Sequence, residues 1–431
     1  MMDKHRKIFV ITQPDVVDTV GGAISVFINF CNMLADNNYE VVGICYNKKQ
    51  GCPQKLNDKV NFVNLAYYYD EDLSFEESIN KFVAENTPDL LVFFFHYLYI
   101  NANLTSKFDR IPRILMFHSR PDFYFEFIKG SADNLKRLYK NTVAQVLFPT
   151  YKSLLPDFIK TDKVVCIPNS VPVQQKTVDT SKENKKIIYL SRIDNCKGLE
   201  FLINSFKVIA KKYKDWSIDI YGQAQPEDYL QDLIKLTKKL KLENQIHFRG
   251  VTNEPIETFL NYDFCVFPSY FEGFPVGLIE AQSVGLPCIG LQGCTGVNEL
   301  IIDGYNGFLA AENYKDYAAK IEKLIQDKEL RCKFSENSIS NAKQYLPEKI
   351  NEKWIKVIEA VISNNLAPVE IEGAISPKVF PIKKVVNMAK NKKIYSLAQR
   401  IFSVSNDFSN GHKRKVVCLL GVKFKLKKRC K

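Results

Sequence analysis

The sequence predicts an α/β protein of two domains, each a parallel sheet with helices on both faces. Three observations carry this reading. Short apolar runs rich in β-branched and aromatic residues alternate with amphipathic helical stretches almost throughout, the βαβ pattern of parallel sheets. A polar stretch near the middle divides these runs into two sets. The length of 431 residues exceeds what one ordinary core organises, at roughly 100–200 residues per domain.

In the first half, strands are expected at Ile8–Thr12, Glu40–Tyr46, Leu90–Phe95, Arg113–His118, Ala144–Phe148 and Val164–Ile167. Between the first two lies a helix whose apolar positions Ile24, Phe27, Ile28, Cys31 and Leu34 recur at spacings of three and four, opened by Gly21-Gly22. The stretch from Ser170 to Lys186, rich in Lys, Gln and Thr with Pro172 near its start, reads as an interdomain linker. A second alternating set follows at Ile187–Leu190, Ser217–Tyr221, Gln245–Phe248, Phe264–Phe267 and Cys288–Leu291. Helical stretches from Tyr314 to Leu366, broken at Pro347, close the body. Two such sets make two facing Rossmann-like domains, 1–170 and 187–345, joined by a linker at 171–186, with a closing helix at 346–365 and a tail at 366–431.

Composition narrows the class. Apolar residues at 46% and charged residues at 25% exclude disorder as the main state. The longest apolar run, Leu90 to Ile100 interrupted by His96, is far short of the ~20 residues a spanning helix needs. Only Ile8 to Thr12 follow the basic N-terminus before Gln13-Pro14, too few for a signal peptide, so a cytosolic chain is expected. Eleven cysteines carry no Cys-x-x-Cys pair, and Cys31, Cys45, Cys265 and Cys288 lie in apolar stretches, which predicts reduced buried thiols and no zinc. The net charge of +12 is uneven: from Leu366 to Lys431 there are 16 Lys and Arg against 3 acids, +13, leaving about −1 for the rest.

Four segments carry candidate chemistry. The most specific runs from Phe267 through Pro268-Ser269-Tyr270-Phe271 to Glu272-Gly273-Phe274-Pro275-Val276, then Glu280 and Ala281. Here a strand ends, a turn exposes Glu272, and a helix starts near Pro275. Its first N–H groups suit an anion, and Glu280 can accept hydrogen bonds from vicinal hydroxyls. The second is Ser191-Arg192-Ile193-Asp194-Asn195-Cys196-Lys197-Gly198, two cations between a strand and a helix, at the carboxyl end where open α/β sheets bind ligands. Arg192 and Lys197 can offset a diphosphate leaving group without a metal or other cofactor. The third is the Thr12–Gly22 loop, whose Gly21-Gly22 permits close approach to a phosphate. The fourth is His118, at the end of the run Ile114–Phe117. Taken alone each has a plain structural reading: solvated acids, a charged loop, glycines before a helix, a satisfied histidine.

Together these positions resemble the retaining glycosyltransferases of family 4, the group 1 glycosyl transferases with the GT-B fold. The Glu-x7-Glu motif is matched by Glu272 and Glu280, Ser-Arg-x4-Lys-Gly by Ser191, Arg192, Lys197 and Gly198, and Pro-Asn-Ser-Val by Pro168 to Val171. The resemblance implies two facing domains with a central cleft and a nucleoside-diphosphate sugar, UDP-linked, as donor. It assigns Glu272 to donor-sugar hydroxyls, Glu280 to the ribose, Arg192 and Lys197 to the diphosphate, His118 to the donor sugar, and Gly21 and Gly22 to the phosphates. Gly273, Phe274, Pro275 and Val276 complete the donor site, which needs no metal. The expected acceptor, which the resemblance does not supply, is a glycan or lipid-linked saccharide of surface polysaccharide biosynthesis. Where many members carry Gly-x-Gly, this chain has Tyr221-Gly222-Gln223-Ala224.

Two other classes stay in view. Asp70-Glu71-Asp72 is literally Asp-x-Asp, the metal-binding signature of a GT-A transferase, yet Asp72-Leu73-Ser74 before Phe75-Glu76-Glu77 also reads as a helix cap. A dinucleotide oxidoreductase is weaker still, since no Gly-x-Gly-x-x-Gly follows an expected strand. The second class is a non-catalytic module that binds nucleic acid, phosphate or membrane through the basic tail, or an inactive transferase-like scaffold. The tail mixes Lys413-Arg414-Lys415 and Lys423 to Arg429 with apolar Val416, Val417, Leu419 and Leu420, which suits an anionic membrane surface better than nucleic acid. Apolar Val386, Ala389, Ile394, Leu397 and Ile401 predict an interfacial helix over 383–402, and alternation from Val422 to Lys427 predicts a strand. The protein is thus expected at the inner face of the cytoplasmic membrane.

Overall fold

The computed structural model describes residues 6–13, 22–47, 51–53, 55–69, 72–127, 132–159, 163–171 and 174–364, together with strand segments 402–407, 414–419 and 422–425. The body divides into two compact units, one built from residues up to 171 with 344–364, the other from 174–343.

The first unit runs β1 (Lys7–Ile11), α1 (Gly22–Asp36), β2 (Glu40–Cys45), β3 (Asn61–Asn64), α2 (Phe75–Asn86), β4 (Leu90–Phe93), α3 (His96–Ala102), β5 (Arg113–Met116), α4 (Pro121–Phe127), α5 (Ala132–Tyr139), β6 (Thr142–Val146) and β7 (Val164–Cys166). Its seven strands lie in the order β3-β2-β1-β4-β5-β6-β7, all parallel. Ile8 to Ile11 and Leu90 to Phe93 are fully buried, as central strands covered on both faces must be. On α1 the stripe Ile24, Phe27, Cys31 and Leu34 is buried and Ile28 packs at its margin.

The second unit runs β8 (Lys186–Leu190), α6 (Leu199–Ile209), β9 (Ser217–Tyr221), α7 (Glu227–Lys239), β10 (Ile246–Gly250), α8 (Pro255–Phe259), β11 (Phe264–Phe267), α9 (Val276–Ser283), β12 (Cys288–Leu291), α10 (Val297–Leu300), β13 (Gly307–Ala310), α11 (Tyr314–Gln326) and α12 (Lys328–Ala342). Its sheet is again all parallel, in the order β10-β9-β8-β11-β12-β13. In both sheets the strand order reverses beside the first strand, between β1 and β4 and between β8 and β11. At such a switch point the loops leaving the carboxyl ends diverge and open a ligand crevice.

The structure assigns the closing helix to a unit, which the sequence left open, and moves the linker. The last helix, α13 (Pro347–Ile362), joins the first unit: its buried stripe Ile350, Trp354, Ile358 and Val361 belongs to the core of α1, and Trp354 meets Phe30 edge-on at 4.9 Å. The stretch read as a linker lies along the second unit from residue 174, where Val178 donates its N–H to the Val284 carbonyl at 2.8 Å and Glu183 pairs with Arg331. The strands β3 and β13 were not expected. In the tail, β14 (Phe402–Asp407), β15 (Arg414–Leu419) and β16 (Val422–Lys425) form an antiparallel meander, while the helix expected over 383–402 falls almost wholly outside the described residues. Among the described residues no helix is long and apolar enough to cross a membrane.

Candidate functional site

The loops leaving β8 and β11 flank the switch point of the second sheet, and they are built around each other. After β8 the chain passes Ser191 and Arg192, turns at Asp194, whose carboxylate accepts from the Cys196 N–H at 2.9 Å, and makes a single 3₁₀ turn over Asn195–Lys197. Gly198 then starts α6 at φ +67°, and a Cβ there would lie 2.1 Å from the Pro268 carbonyl oxygen. Only glycine permits both the left-handed backbone and this approach of the two loops. The Tyr270 N–H closes the seam on the Cys196 carbonyl at 2.8 Å.

This seam holds an ion pair. Lys197 Nζ donates to Glu272 Oε1 at 2.6 Å, and the two side chains are 8% and 9% exposed. Glu272, expected on an exposed turn, is therefore buried, because the β11 loop folds down onto Lys197. Arg192 behaves differently. Its side chain is 49% exposed, leaning on buried Asp194 at 3.4 Å and donating to Gln225 Oε1 at 3.3 Å. The two cations, read from sequence as a matched pair, are one buried and one facing water.

Past Glu272, Gly273 lies against Gly296 (φ +81°), where a Cβ would stand 2.5 Å from the Gly273 carbonyl oxygen. Phe274 and Pro275 are buried, and Pro275 caps α9 without a side-chain acceptor. The N–H groups of Val276 and Gly277 thus open the helix ahead of its own ladder, and Gly277 brings them close to the end of β8, within 3.0 Å of the Leu190 carbonyl for an added Cβ. One turn on, Glu280 is half-buried, and loss of solvent pushes its carboxyl up to about 7. The site thus joins a cation in water, a buried cation, a helix start and two carboxylates. That set suits a ligand carrying both phosphates and hydroxyls.

In the first unit, Gly22 is the exposed first residue of α1, whereas Gly21 lies outside the described residues. His118 follows β5 and stacks on Phe94, centroids 4.7 Å apart. Burial holds it down at about 3, so the ring is neutral, with Nε2 unpartnered among the described residues. Of the Asp-x-Asp run, Asp70 lies outside the described residues. Asp72 is exposed, and Ser74 forms a reciprocal capping box with Glu77 on α2, as the cap reading expects. Cys31, Cys45, Cys265 and Cys288 are buried free thiols.

Sequence reasoning did not single out Asp194, whose place between Arg192 and the Cys196 N–H emerges only from the turn's geometry. It also missed Ser269, fully buried with its hydroxyl unpartnered among the described residues. His96 is a third: fully buried among Phe117, Tyr124, Phe125 and Tyr139, with neither ring nitrogen bonded among the described residues.

Residues 170–341, which contain Arg192, Lys197, Glu272 and Glu280, match the family described as Glycosyl transferases group 1. An uncharacterized glycosyltransferase of Haemophilus influenzae is 27% identical over 343 residues, covering 78% of this chain and 96% of that protein. Among solved structures, sucrose-phosphate synthase from Thermosynechococcus elongatus superposes with a TM-score of 0.71 at 16% identity, over 83% of this chain and 100% of that one. HepE from Anabaena, in complex with UDP and glucose, gives 0.66 at 18% identity over the same shares. The fold is GT-B: two parallel-sheet α/β units.

Proposed function

We propose that the protein is a group 1 glycosyltransferase that moves a hexosyl unit from a nucleoside-diphosphate sugar to a hydroxyl of a growing glycan or lipid-linked saccharide. The observation that carries this is the buried Lys197–Glu272 pair beside Arg192 and the α9 start, at the switch point inside the matched segment. The HepE complex supports UDP as the nucleotide.

In this reading the donor takes the pair apart and uses each half. The diphosphate draws on Lys197, on Arg192 and on the N–H groups of Val276 and Gly277, without a metal ion. The sugar hydroxyls donate to Glu272 and the ribose hydroxyls to Glu280. The resemblance assigns neutral His118 to the donor sugar and Gly21 and Gly22 to the phosphates. Bond making and breaking occur on one face of the sugar. The bond from the anomeric carbon to the phosphate oxygen breaks, the acceptor oxygen bonds to that carbon, and the acceptor proton passes to the leaving phosphate. The anomeric configuration is retained. Charge builds on the diphosphate as it leaves, so preorganised cations lower the barrier more than they tighten the ground state.

The tail, with its +13, draws the enzyme to the anionic inner face of a membrane, where each Lys or Arg near the surface contributes about 1 kcal/mol. The deciding experiment is a donor panel assayed for nucleotide release in EDTA with purified protein. Release from a UDP-hexose at full rate supports the reading. Release that stops in EDTA and returns with manganese overturns the metal-free assignment, and no release from any donor overturns the transferase.

A further inference from the structure

The turn after β9, where this chain carries Tyr221-Gly222-Gln223-Ala224 in place of Gly-x-Gly, is built against Arg192. It runs beside Ser191-Arg192-Ile193 as a short parallel ladder, with Ile193 bridged to Ala224. The Ser191 N–H donates to the Tyr221 carbonyl at 3.2 Å and the Ile193 N–H to the Gln223 carbonyl at 2.9 Å, while the Gln225 N–H returns to the Ile193 carbonyl at 2.9 Å. Gly222 admits this approach, since a Cβ there would stand 1.9 Å from the Ser191 carbonyl oxygen. Fully buried Tyr189 donates its hydroxyl to the Arg192 carbonyl at 2.6 Å. The backbone that carries Arg192 is therefore fixed before any ligand arrives.

Its side chain is held as well. Gln225 Oε1 accepts from Arg192 Nη1 at 3.3 Å, and Asp194 Oδ2 lies 3.4 Å from Nη2. Asp194 is 4% exposed, and its two oxygens have separate partners. Oδ1 caps the 3₁₀ turn through the Cys196 N–H. Oδ2 takes no hydrogen bond among the described residues, and Arg192 is the ion pair of Asp194 among them. Asparagine would cap the turn as well as aspartate does, with no charge to bury. The cap therefore leaves the carboxylate unexplained, and the attraction for the guanidinium accounts for it.

We propose that Asp194 and Gln225 are positioning residues that bracket Arg192 and fix it for the diphosphate. This rests on the transferase reading above. An arginine half in water otherwise spreads over many rotamers, and ordering it on ligand arrival would weaken the contact. The bracket moves that cost to folding. It engages two of the five N–H groups of the guanidinium and leaves three for phosphate oxygens. The cation then stands in place as charge builds on the leaving group. Loss of Arg192 would open Asp194 to water, so the link shows in binding rather than in stability.

The test is calorimetric titration of UDP in EDTA into full-length wild type, Asp194→Asn, Gln225→Ala, Arg192→Ala and the two doubles that combine Arg192→Ala with each of the others. Circular dichroism checks that each is folded; should Asp194→Asn not fold, Gln225→Ala and its double carry the test. Asp194→Asn keeps the cap and removes a negative charge beside an anion site, so electrostatics alone would tighten UDP binding. The bracket predicts the opposite, binding roughly tenfold weaker, the scale of a lost hydrogen bond to a charged group. Gln225→Ala should weaken binding to a similar extent. Neither change should weaken it further once Arg192 is gone, because both act through that side chain. If either single variant binds UDP as tightly as wild type, or either double loses roughly tenfold more than Arg192→Ala, the bracket is overturned while the donor reading stands. Wild type that binds no UDP overturns the donor reading and the bracket with it.

Discussion

The carboxyl rims of the two sheets share a topology and differ in chemistry. On the second, the charged groups are satisfied before any ligand arrives: Lys197 on Glu272 and Arg192 on Asp194, in loops pinned by Gly198 and by the Tyr270 to Cys196 hydrogen bond. On the first, one ion pair, Arg120 with Asp122 at 2.6 Å, lies beside polar groups in aromatic surroundings that have no partners among the described residues, as at His118 Nε2 and both nitrogens of His96. A rim that pre-pairs its charges is organised for a charged ligand of fixed chemistry. The first rim sets its one ion pair beside neutral, unpartnered imidazoles, which burial holds uncharged.

The sharpest way to break this contrast is to separate the two cations of the second rim. Lys197→Ala should lower turnover by about 10²–10³ and destabilise the protein by about 3–5 kcal/mol, because it leaves Glu272 buried without its cation. Arg192→Ala should lose comparable turnover while stability stays within about 0.5 kcal/mol, its side chain being half in water. Steady-state kinetics with urea unfolding reads both. Equal stability losses would mean that the burial of the Lys197–Glu272 pair is not a property of the protein in solution.

Glu280 gives the next effect. Its carboxyl is held at about 7 in the fold against an ordinary 4.5, so the fold disfavours its ionisation. The stability it contributes is complete below the ordinary value and is lost as pH rises through about 7, on the order of 3 kcal/mol by linkage. Glu280→Gln, which cannot ionise, should be no more stable than wild type near pH 4 and more stable near pH 8. Donor affinity in wild type should rise over the same interval, since hydroxyls donate best to the carboxylate. Parallel stability curves for the two proteins would remove the desolvated acid.

Gly198→Ala places a Cβ against the Pro268 carbonyl in a left-handed backbone, which should cost roughly 1–2 kcal/mol for the backbone alone. It should also part the two loops, lowering turnover more than stability. A variant with normal turnover would show that the seam is not needed. The smallest effect belongs to the first unit: Ser74→Ala removes the cap of α2 and should cost about 1 kcal/mol, with turnover on a saturating acceptor unchanged. Turnover that falls in this variant and is restored by manganese would revive a role for the Asp70–Asp72 stretch.

Much of this architecture was legible in the chain, and the failures share a cause. Strands β9, β11 and β12 fall where alternation and punctuation put them, since their signals are local. Arg192, Lys197, Glu272 and Glu280 were singled out from strand-turn-helix punctuation, and the structure places them in the loops after β8 and β11 and on α9. The burial of Glu272 was not legible, because its partner lies 75 residues away and only the tertiary fold joins them. Helix α13 showed its apolar stripe but not the surface that covers it. Edge strands β3 and β13 carry only Phe62-Val63 and Phe308-Leu309 between polar or small residues, too weak an apolar run to distinguish from loop. His96 interrupted an apolar run and gave no sign that it would be enclosed by rings from three other segments.

The central claim is that the loops after β8 and β11 bind a nucleoside diphosphate through their own cations. Calorimetric titration of UDP in EDTA into wild type and Arg192→Ala tests it most directly. The account predicts saturable binding to wild type and affinity at least roughly tenfold weaker in the variant, the scale of a lost hydrogen bond to a charged group. No binding to wild type, or equal affinities in both proteins, would contradict it.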